Sequence, residues 1–107
     1  MSIFLYLYWQ LGEYLSGKIE SAQCGEGVVT QLAEYIARTS PELKGFSDKN
    51  LWRMKQFYET YRDADPKLSA LLREISWTNN MIILSRAKSA EERALYLLLS
   101  ARTSFFA

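Results

Sequence analysis

The run from Gly45 to Tyr61 constrains this 107-residue chain more than any other. Ser47 stands where a helix N-cap belongs, its hydroxyl placed to accept from a backbone amide of the first turn. Asp48 follows in that first turn, where a negative charge suits the positive end of the helix dipole. Asn50 occupies the position at which a capping box carries Glu or Gln, so the box is partial. At about 100° per residue, Leu51, Met54, Phe57, Tyr58 and Tyr61 share a stripe about 120° wide. Lys49, Arg53, Gln56 and Thr60 lie opposite, with Trp52 and Glu59 at the edge. The segment therefore predicts an amphipathic helix that buries one face and presents a basic-polar one. With a helix just before it, the pair predicts a helix-turn-helix-like arrangement formed by the second and third helices.

The remainder points to an all-α fold of five to six helices in one domain. Strand signals are nearly absent: Val28-Val29 and Ile82-Ile83 sit inside longer helical patterns. Pro41 and Pro66 both fall between apolar-periodic segments, as helix boundaries require. A first helix is expected over about residues 2–19, with Phe4, Leu7, Tyr8, Leu11 and Leu15 as its stripe and Ile3, Leu5, Tyr6 and Trp9 round its other sides. Residues 21–27 read as a loop, and a second helix over about residues 26–38 would bury Val28, Leu32, Tyr35 and Ile36. Gly45 supplies a turn residue free to take positive φ. A fourth helix starts at Pro66 with Leu68, Leu71, Leu72 and Ile75 as its apolar set. A fifth starts near Ser76 or Trp77 and carries Met81, Ile82 and Leu84. The sixth opens with Ser89 as cap and Glu92 three residues on, a full capping box, and runs through Leu95–Leu99.

Composition excludes several kinds of chemistry. The sequence contains no His and one Cys, which removes imidazole-based triads and dyads and the usual Cys/His zinc sites. No carboxylate pair stands out, so no catalytic residue, metal ligand, cofactor or small-molecule substrate is expected. A lone Cys cannot close an internal disulfide and fits a reducing cytoplasm, the expected compartment. The apolar start lacks the basic region and cleavage site of a signal peptide and breaks at Gln10, Gly12 and Glu13, too short to span a membrane. The formal net charge of +1 is low for a nucleic-acid binder. Between Lys44 and Arg62, however, five basic side chains face two acidic ones, a local balance of +3.

Four tracts are similar to the N-terminal domain of YhcG-type bacterial proteins. They are Leu7-Tyr8-Trp9-Gln10-Leu11-Gly12, Gly25 to Leu32, Gly45-Phe46-Ser47 through Tyr58, and Ile75 to Asn80 followed by Glu91 to Tyr96. The likeness covers nearly the whole chain, and its Gly-Phe-Ser element is the most specific part. Cys24 departs from the pattern, standing where the family often has Trp. The resemblance implies a helical module that in longer relatives precedes a PD-(D/E)XK nuclease-like domain, in proteins found near restriction-modification systems. No such nuclease constellation is present here, so the family's nuclease chemistry has no residues in this sequence to carry it.

The first reading is a non-catalytic module that binds double-stranded DNA. Lys49, Arg53 and Gln56 would face the groove, with Lys44 and Lys55 as further phosphate contacts. The plainer reading of that face is a solvated helix surface. The second reading is a protein-interaction or homodimerisation module, or a surface that meets a nuclease domain in a longer relative. Trp52, Tyr6, Trp9, Phe105 and Phe106 would be its anchors, although Trp52 reads better as packing under the first helix or the loop of residues 21–27, and Tyr6, Tyr8 and Trp9 suit core packing equally well. Trp77 with Asn79 and Asn80 reads best as a helix start capped by Ser76, and Cys24 as chemically inert.

Overall fold

The computed structural model of the chain describes residues 3–21 and 25–103. Among them are six helices and no strand: α1 (Ile3–Ser21), α2 (Gly25–Thr39), α3 (Asp48–Tyr61), α4 (Pro66–Arg73), α5 (Trp77–Arg86) and α6 (Ala90–Thr103). The chain divides into two compact units, one of residues 7–60 and one of the described residues in 1–6 and 61–107.

In the unit of residues 7–60, α3 is the central element. Leu51, Met54 and Phe57 are buried and Tyr58 is half-buried, as the periodicity requires. Full burial of a residue such as Phe57 contributes about 1.5–3 kcal/mol. Trp9 of α1 meets Phe57 and Tyr58 edge-to-face, with ring centroids 5.8 and 5.0 Å apart. Leu15 and Ser16, one to two turns further along α1, are buried too. Between Trp9 and this pair lies Gly12, where an added Cβ would sit 2.2 Å from the Met54 carbonyl oxygen. The α1 backbone crosses α3 closely at that point, and only glycine leaves room.

The buried face of α1 therefore runs through Gly12, Leu15 and Ser16, and Leu7, expected on the core stripe, is exposed instead. Apolar periodicity overlooks glycine and serine, yet small residues decide where two helices approach. The same correction applies to α2. Val29 and Ala33 are its buried residues, Val28, Leu32 and Ile36 are half-buried, and Tyr35 is exposed.

The link from α2 to α3 explains the Gly-Phe-Ser element. Gly45 has φ 85°, the left-handed region that favours glycine. Phe46 turns inward, is buried, and packs edge-on against Tyr8 at 6.0 Å. Ser47 caps α3, its Oγ accepting from the Asn50 amide N–H at 3.3 Å. The Asn50 side-chain nitrogen donates to the Gly45 carbonyl. A Glu carboxylate at this position could not donate to that carbonyl.

In the other unit, α4, α5 and α6 begin with side-chain caps. Asp65 Oδ1 accepts from Leu68 N at 2.9 Å, Ser76 Oγ from Asn79 N at 3.1 Å, and Ser89 Oγ from Glu92 N at 3.1 Å. The reciprocal arm of the last box reaches Lys88 N rather than the cap residue. Asn80 is completely buried; its amide nitrogen donates to the carbonyls of Leu72, Ile75 and Ser76 at 3.4, 3.3 and 3.2 Å. It ties the end of α4 to the start of α5, in line with reading this segment as a helix start. On α5, Ile83 and Leu84 are buried and Ile82 is exposed, contrary to its expected core position. Among the described residues of α6, Leu97 and Ala101 are the buried ones. Burial pushes the Tyr61 hydroxyl above its ordinary value of 10.0, against the pull of the Arg93 charge.

Candidate nucleic-acid interface

Helix α3 presents Lys49, Arg53 and Gln56 to solvent on one face, all three exposed. Their spacing of i, i+4 and i+7 lines them up over about 10 Å of helix at 1.5 Å per residue. Among the described residues neither Lys49 nor Arg53 takes part in an ion pair. The two acidic residues of the helix are held elsewhere. Asp48 accepts from the Thr30 hydroxyl of α2 at 3.0 Å. Glu59 accepts from Ser16 of α1 at 2.8 Å through Oε2 and from Lys55 at 2.8 Å through Oε1. Lys49 and Arg53 thus face outward with no carboxylate partner among the described residues, while Asp48 and Glu59, themselves exposed, are hydrogen-bonded to neighbouring helices and, for Glu59, to Lys55.

Lys55 has partners within its own helix. Its ammonium is matched by Glu59 and lies 5.8 Å from the centre of the Trp52 ring, a cation–π distance. The i,i+4 spacing of Lys55 and Glu59 was visible in the sequence as a pairing signal. The bonds to Ser16 and Thr30 were not, because they link residues 43 and 18 positions apart. Lys44 is exposed in the link between α2 and α3. That link spans residues 40–47, longer than the 3–4 residues usual between the helices of a DNA-reading pair.

The expected interaction anchors separate. Trp52 is half-buried, with its ring edge 3.4 Å from where a Cβ on Gly25 would be. It packs at the start of α2, which favours the packing alternative. Trp9 is half-buried and packs edge-to-face on Phe57 and Tyr58. Tyr6 is 60% exposed. Phe105, Phe106 and Cys24 lie outside the described residues. No group of three metal-ligating side chains occurs among the described residues, and none of their helices is long and apolar enough to cross a membrane.

The fold and this face define an all-α module whose third helix carries an outward basic-polar surface. The chain belongs to the family described as DUF1016 N-terminal domain, whose model matches residues 2–105, consistent with the N-terminal domain of YhcG-like proteins. No curated protein and no solved structure matches the chain.

Proposed function

We propose that this domain is a non-catalytic DNA-binding module, with α3 as the helix that meets the duplex. The observation that carries the reading is the sorting of charge on α3. Asp48 and Glu59, though exposed, are hydrogen-bonded by Thr30, Ser16 and Lys55, while Lys49 and Arg53 stand exposed beside Gln56 with no ion pair among the described residues. Arg pairs bidentately with guanine in the major groove and Gln with adenine, and Lys neutralises phosphate. Lys44 adds a further cation at the link before the helix. Lys55 contributes little, its charge being already matched.

The test is binding of a fluorescently labelled random duplex, followed by anisotropy as salt is raised. Affinity should fall linearly with salt on logarithmic axes, with a slope of about −2 to −3 for two or three neutralised phosphates. Lys49→Ala with Arg53→Ala should weaken binding and flatten that slope by about two. Lys55→Ala should leave both nearly unchanged. Equal affinity of the wild type and the Lys49/Arg53 double variant would refute the assignment of this face.

A further inference from the structure

Helix α6 is apolar on the side away from its core contact. Leu97 and Ala101 are buried, whereas Leu95, Leu98 and Leu99 are 53%, 39% and 48% exposed. Three leucines grouped on one helix face are unlike the scattered apolar residues of an ordinary surface. Two of them belong to a regular seam. Glu91, Leu95, Leu98 and Arg102 follow one another at intervals of four, three and four residues, the repeat of a coiled-coil contact line. Glu91 and Arg102 are both exposed, and no hydrogen bond or ion pair holds either among the described residues.

The order acid, leucine, leucine, base is complementary to itself when reversed. Against a second α6 running the opposite way, Leu95 meets Leu98 of the second copy, and Glu91 meets its Arg102. The two-fold axis repeats both pairs. The parallel alternative would set Glu91 against Glu91 and Arg102 against Arg102, which is repulsive at both ends. The antiparallel arrangement also opposes the two helix dipoles.

We propose that the Glu91–Leu95–Leu98–Arg102 seam of α6 is a homodimer interface, in which two copies of this chain pair antiparallel about a two-fold axis. The contact is isologous, so it closes at two chains and builds no filament. One helix of 14 residues is about 21 Å long, which makes this a small interface. The dimer is therefore concentration-dependent rather than obligate.

Sedimentation equilibrium of the whole chain from roughly 1 μM to 1 mM tests the proposal. The wild type should pass from one chain mass to two across that range. Leu95→Gln with Leu98→Gln should remain monomeric throughout, with an unchanged helical circular-dichroism spectrum, because both positions are exposed. The charged ends test the direction. Glu91→Arg alone and Arg102→Glu alone should each weaken self-association by about tenfold or more. An equimolar mixture of those two variants should restore it. One chain then carries a base at both ends of the seam and the other an acid at both ends, so every charged pair between them is attractive. A wild type that stays monomeric over the whole range overturns the interface. A dimer that survives the leucine double variant places the contact elsewhere and overturns it too. Association left unchanged by both charge reversals, or not restored by mixing them, overturns the antiparallel register.

Discussion

Gly12 offers the sharpest test of how α1 and α3 are held. A Cβ at this position would lie 2.2 Å from the Met54 carbonyl oxygen and 2.9 Å from both the Met54 carbonyl carbon and the Tyr58 Cβ. A carbon–oxygen contact normally opens to about 3.3 Å, so Gly12→Ala must move the two helices apart by about 1 Å. The obstructing atoms are backbone and a Cβ, so no side-chain rotation relieves the clash. Overpacking of this kind costs about 1–3 kcal/mol, and the rigid target puts this case at the upper end. Alanine returns about 0.5–1 kcal/mol in helix propensity. The expected net loss is about 2 kcal/mol, or roughly 10 °C in Tm for a chain of this size. Gly17, in the same helix, provides the control, because a Cβ there meets nothing within 4 Å. Gly17→Ala should gain the propensity without the clash and stabilise by about 0.5–1 kcal/mol. Both variants are measured by urea and thermal unfolding, followed by circular dichroism and by tryptophan fluorescence. The Trp9 signal should also change in Gly12→Ala, because that ring packs on Phe57 and Tyr58 of the displaced helix. A Gly12→Ala variant as stable as Gly17→Ala would refute the close crossing.

Asn80→Ala should cost about 2–3 kcal/mol, since three carbonyls lose a buried donor. Asn80→Asp should be worse at neutral pH and recover on acidification. A buried carboxyl facing carbonyls has its pKa raised above the unfolded value of about 3.9, so stability is retained below that value and lost as pH rises through the folded pKa. Chemical denaturation at two pH values decides both. Ser89→Ala removes the cap that accepts from Glu92 N and should cost about 1 kcal/mol, whereas Ser85→Ala, whose hydroxyl bonds to Ile82 O in an exposed position, should be near neutral. The raised pKa of Tyr61 means that the folded state holds its proton more tightly than the unfolded chain. Stability should be intact below its ordinary value of 10.0 and decline above it, by up to about 1.4 kcal/mol per pH unit until the folded group titrates. Tyr61→Phe should lack that component of the alkaline decline, and identical pH profiles for variant and wild type would count against it.

The sequence by itself determined the all-α class, a succession of helices close to their observed limits, and the faces of α3. Each of these rests on local physics. Ser47, Ser76 and Ser89 accept from amides three residues on, Pro66 opens a helix without needing a donor, and the 3.6-residue period separates Leu51, Met54 and Phe57 from Lys49, Arg53 and Gln56. Family membership was legible for a related reason. The Gly-Phe-Ser segment joins a positive-φ turn, a buried ring and a cap within three consecutive residues. Only the tertiary structure decided which way the stripes of α1 and α2 turn, because α1 crosses α3 closely at Gly12 and the buried faces take in the small residues Ser16 and Ala33, which carry little hydropathy signal. Only it could pair Asp48 with Thr30 and Glu59 with Ser16, and so distinguish the charges of α3 that are engaged from those left outward. It also decided that α6 buries Leu97 and leaves Leu95, Leu98 and Leu99 exposed. Periodicity gives the angle between residues on one helix, but the direction of burial depends on neighbours supplied by distant parts of the chain.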